Sequence, residues 1–250
     1  MVENINYETP DSWFDEIKRR FEVISGGYRE LIAYIKRNLP QTTKNRVLPY
    51  ICERAALEAE RMVNWYDNDE TPEFFAWTAR NVLEISYITE YVTKTDEYLK
   101  KFLNRALDDI KDIGEGLKEL ALENLEAVKT IEETQQKYEL KKYKLKGKMP
   151  ARTKDLAKAV SNEKEHKSFF KIYSKYVHPT AWLILSEKRA TLHEDGKKAF
   201  FNQGYIYCER IFELVAKSVG FNNTGNYEEI RIKIAPGEKK DRLSDKFQAK

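Results

Sequence analysis

Residues 96–146 read DEYLKKFLNRALDDIKDIGEGLKELALENLEAVKTIEETQQKYELKKYKLK, fifty-one positions without a proline. Counted in sevens, one row holds Leu103, Ile110, Leu117, Asn124, Ile131 and Tyr138. A second row holds Ala106, Ile113, Leu120, Ala127 and Thr134, and charged residues fill most positions between. Apolar residues on a seven-residue repeat lie along one side of a helix, so the run reads as a long coiled-coil-like helix or a helical hairpin. Asn124 would fix register within an apolar row, and Gly114 and Gly116 mark a kink or a close crossing. The seam at 103–138 needs a cover: another helix of this chain, a second copy in a homodimer, or a partner protein.

The flanking sequence extends the helical reading. Gly (10) and Pro (7) are scarce in 250 residues, so few positions break an element. Asp11 and Ser12 can cap a helix from Trp13 to about Ile24, which Gly26-Gly27 is expected to break. Further helices are expected at about 28–38, 46–66 and, with Pro72 at its first turn, 72–93. Asn162 and Glu165 form a capping-box pattern ahead of a helix that ends at Pro179. The chain resumes through Trp182 to Leu185, and a last long helix spans about 194–219, capped by Gly220. A short element at 227–234 alternates Ile230, Ile232 and Ile234 and reads as helix or strand; residues 236–250 read as a mobile tail. The fold class is all-α: a helical bundle from 11–94 and 153–220, with 96–146 inserted.

Composition narrows function. The net charge is only +3, from 44 basic and 41 acidic side chains, which is not the signature of a polycation. A local basic run, Lys141 to Lys154, suits a helix end, a phosphate or an acidic partner. Cys52 and Cys208 lie far apart in apolar helical patterns and read as buried, reduced thiols. No metal-like Cys/His spacing, phosphate-cradling glycine loop or His-Glu-x-x-His occurs, so no metal or cofactor is expected. No leader and no membrane-length apolar run appears, which makes the cytoplasm the expected location.

Three segments carry groups that could do chemistry. Arg54 and Glu58, like Arg80 and Glu84, stand one helical turn apart in apolar surroundings. Charged groups there need partners, so the two pairs are expected to join a polar cluster with Tyr173 and His178. Ser174 lies on the His178 side of its helix, and His178 sits at the break made by Pro179. His178 and Arg80 are therefore the candidate catalytic pair, with Arg54, Glu58, Glu84, Tyr173 and Ser174 as ligand-binding or structural neighbours. His166 and His193, set among charges, are expected to be exposed, and Arg210 with Glu213 reads as a surface ion pair.

These segments, Glu53-Arg54-Ala55-Ala56-Leu57-Glu58, Arg80-Asn81-Val82-Leu83-Glu84 and Tyr173-Ser174-Lys175-Tyr176-Val177-His178-Pro179-Thr180, resemble a large family of uncharacterised, all-helical, mainly bacterial proteins. That family carries an Arg-x-x-x-Glu helix and a later Tyr…Ser-x-x-x-His segment. The chain is also similar to HEPN domains, many of which are ribonucleases of toxin–antitoxin and anti-phage systems. Their signature is an arginine four to six residues before a histidine. Here those positions are Ser174, Tyr173 and Ile172, so the guanidinium would have to come from Arg80 or Arg54 on another helix. The resemblance implies either a binding or accessory protein of a defence or stress system, or a metal-independent ribonuclease acting on RNA.

Overall fold

A computed structural model describes residues 10–68, 71–120, 124–139, 141–178 and 190–222. The expected turn and element at 179–185, the element at 227–234 and the tail at 236–250 lie outside the described residues, as does the His193 side chain. Eight helices and no strand occur among the described residues: α1 (Pro10–Asn38), α2 (Thr43–Asp67), α3 (Pro72–Lys94), α4 (Asp96–Leu120), α5 (Leu125–Glu139), α6 (Thr153–Ala159), α7 (Glu163–Val177) and α8 (Ala190–Val219). The all-α fold class is thus correct.

Helices α1, α2, α3 and α8 form the body, with α3 against α8 as its most extensive interface. Aromatic rings form its centre. The Phe201 ring of α8 lies 5.0–5.8 Å from those of Phe14 and Phe21 of α1, Tyr66 of α2 and Phe75 of α3. Ala55, Ala59, Ala76 and Ala79 are fully buried and let the helix axes approach. Buried Tyr28 keeps its hydroxyl satisfied by donating to the carbonyl of Cys208 across the α1–α8 interface. Both cysteines are buried and free, and burial pushes the Cys52 thiol up to about 12.

The sequence expectation of a break at Gly26-Gly27 is wrong, because α1 runs through both. A β-carbon on Gly27 would lie 3.1 Å from the Phe212 ring, so the missing side chain serves a close crossing with α8 rather than a turn. Gly220, by contrast, does end its helix. It has φ +66, and the following Phe221 amide donates back to the Ala216 carbonyl at 2.9 Å.

Helix α7, with α6 beside it, packs on the outer side of α3. Helix α4 leaves the body against α3, and α5 packs against α4. The α4–α5 contacts run antiparallel: Gln135 donates to the Lys111 carbonyl at 2.9 Å, and Asn104 and Tyr143 exchange two hydrogen bonds of 2.8 Å. The heptad seam is only partly covered. Leu103, Ile110 and Ile131 are half-buried, whereas Leu117 is 49% exposed. Two helices alone cannot enclose a seam that wide.

Replacing Phe201 by alanine removes the ring that four others pack on. The expected loss is about 3–5 kcal/mol of unfolding free energy by urea titration, with helical circular dichroism retained in the folded fraction.

Candidate functional site

A network of half-buried polar groups lies at the seam where α3, α7 and α8 join. Arg210 of α8 donates to Glu165 Oε2 of α7 at 3.0 Å and to Glu90 Oε2 of α3 at 2.9 Å. Tyr87 of α3 donates to the same Glu165 oxygen at 3.2 Å, and the guanidinium lies over its ring at 6.0 Å. Asn162 donates to Glu90 Oε2 at 2.8 Å. Burial opposes the charge on Arg210, but Glu165 and Glu90 more than compensate and hold its guanidinium above the ordinary value. Burial first, and Glu165 second, push the Tyr87 hydroxyl up, so it remains a donor. Two turns along, buried Tyr173 donates to Gln203 Oε1 at 2.6 Å, with Tyr207 beside it.

This network corrects three sequence expectations. Arg210 does not pair with Glu213 on the surface but spans to two other helices. Asn162 and Glu165 do not form a capping box: Asn162 makes no side-chain cap bond, and both side chains are drawn into the network. His166 is buried rather than exposed, at 7%. Its ring lies 4.5 Å from that of Phe170 and 6.3 Å from that of Tyr87, and its Nδ1 has no hydrogen-bond partner. Burial lowers its pKa; Glu84 opposes this, while Lys154 and Arg80 add to it.

The expected cluster is divided rather than single. Arg80 pairs with Glu84 at 3.2 Å and stacks over the Phe170 ring at 4.4 Å. Arg54 pairs with Glu58 at 2.6 Å, and Arg61 adds a second bond of 2.9 Å to the same, fully buried carboxylate. No hydrogen bond or ion pair joins these two groups. Ser174 donates back to the Lys171 carbonyl at 3.0 Å. His178 is exposed at the C-cap of α7, in extended backbone, and makes no hydrogen bond or ion pair with the described residues. Arg80 engages α7 at Phe170, eight residues earlier, which is about 12 Å along the helix axis. Among the described residues no group of three His, Cys, Asp or Glu side chains could hold a metal ion.

The comparisons with known proteins end at the same point as the geometry. Residues 74–197 match a family of unknown function, DUF5677. The match takes in α3, α4, α5, α6 and α7 with the first turns of α8, and so includes Tyr87, Glu90, Glu165 and His166 but not Arg210. No curated protein matches the chain, and no solved structure does. The chain therefore resembles an uncharacterised helical family.

Two measurements test the energetics of this seam. Arg210→Gln leaves two partly buried carboxylates without their cation, and the expected cost is about 1–3 kcal/mol in urea unfolding. For His166, the unfolded chain binds a proton more readily than the fold does. Stability should therefore fall as pH drops through and below about 6.5, since the unfolded state takes up the proton first. His166→Phe should flatten that slope.

Proposed function

We propose that this chain is a helical binding or accessory protein of a bacterial defence or stress system, whose polar seam holds the bundle together and whose α4–α5 pair presents the binding face. The observation that carries this reading is the incomplete cover of that pair. Within α4, Leu99 is the one buried apolar side chain, and no described side chain of α5 is buried. Ile113, Leu117, Leu120 and Leu125 are 49–87% exposed, at the end where α4 gives way to α5. A helix with so strong an apolar stripe is stabilised when a partner, or a second copy of the chain, covers it. The polar seam supports the same reading from the other side. Arg210 is engaged by both Glu90 and Glu165, which suits a structural tie better than a substrate site.

The alternative, a HEPN-like ribonuclease, draws on the exposure of His178 at a backbone turn, where an acid/base could reach RNA. It lacks the neighbouring arginine needed to stabilise charge in the transition state, since Arg80 is engaged with Glu84 and Phe170. No described helix is long and apolar enough to cross a membrane.

Single-stranded RNA incubated with the wild-type chain in the presence of a metal chelator should remain intact, and His178→Ala should behave identically. RNA cleavage by wild type that His178→Ala abolishes would replace the binding reading with the ribonuclease one.

A further inference from the structure

The hairpin is electrically polarised along its length. From Asp108 to Glu133, nine acids face three bases in the sequence. From Lys137 to Lys154, eight bases face a single acid. The acidic part is the far end of the hairpin, which also carries the exposed Ile113, Leu117, Leu120 and Leu125. The basic part is the near end, anchored where Tyr143 bonds Asn104 and Met149 is buried. Asp108 links the two parts, pairing with Lys142 at 2.6 Å and with Lys148 at 3.8 Å. Most of the acidic end lies beyond reach of the basic end of its own hairpin. Helix α4 alone is about 38 Å long.

Given this layout, and resting on the binding reading above, we infer that the occupant of the seam is a second copy of this chain, its hairpin lying antiparallel so that the acidic end of each meets the basic end of the other. A two-fold axis across the hairpin creates this arrangement from one surface, because each copy supplies both halves of the complementarity. Four helices then enclose the seam that two leave open, with Leu103, Ile110, Leu117 and Ile131 at its centre. A parallel pairing would place acid on acid and base on base, which opposes it. The basic run at 141–154 thereby faces the acidic end of the second copy rather than nucleic acid.

Cross-linking of the full-length chain decides the orientation. Cys52 and Cys208 are buried, so a single introduced cysteine at an exposed position is the reactive one. Glu119→Cys marks the acidic end and Lys144→Cys the basic end. Mixed and treated with a bismaleimide, the two variants should link to each other, while neither links to itself. Sedimentation equilibrium should give twice the chain mass for wild type. Leu117→Glu should dissociate at least about tenfold more readily. Self-linking of Glu119→Cys would overturn the antiparallel arrangement, and a monomeric wild type would overturn the second copy as occupant. Neither result bears on RNA cleavage, so the binding reading stands or falls by its own assay.

Discussion

The arrangement of the outer helices depends on a single cation. Arg210 projects from α8 and is held by two carboxylates, one on α3 and one on α7. A partly buried guanidinium is costly to desolvate, and its charge is tolerable only where geometry supplies fixed, oppositely charged acceptors. Glu90 and Glu165 supply them, Tyr87 adds a second donor to the same Glu165 oxygen, and Asn162 does the same for Glu90. Apolar packing alone would allow α7 to slide along α3. The directional bonds fix its register, and with it the depth at which His166 and Tyr173 are buried.

The helices themselves were legible because their signals are local. Apolar spacing, Pro72 in a first turn and Gly220 past a last one identify elements from neighbours in the chain. The failures share one cause. Gly26-Gly27 is a breaker by intrinsic preference, yet Phe212 from a helix nearly two hundred residues later uses the space it leaves. Asn162 and Glu165 fit a capping pattern, but stronger partners on α3 and α8 claim them. Arg210 has Glu213 one turn away, while two better-placed carboxylates lie on other helices. Local spacing states which partners are near along the chain; it is silent on which are near in space. A signal did exist for His166, in the Phe169-Phe170 pair that follows it and marks an apolar surroundings for its helix.

The molecule separates two tasks. The body has an aromatic centre of buried rings and an outer helix tied to it by Arg210. The α4–α5 pair is the opposite, amphipathic over a long face and charged by halves. Sequence periodicity predicts a helical seam for that run, and the apolar side chains Ile113, Leu117, Leu120 and Leu125 of the two helices stand exposed.

The claim that Arg210 holds α7 in place is tested most directly by backbone amide hydrogen exchange of wild type and Arg210→Gln. If the tie is local, amides of Glu163–Val177 should exchange at least about tenfold faster in the variant, while those of α1 and α2 around Phe21 and Cys52 change far less. Equal acceleration across all helices, or none in α7, would contradict it.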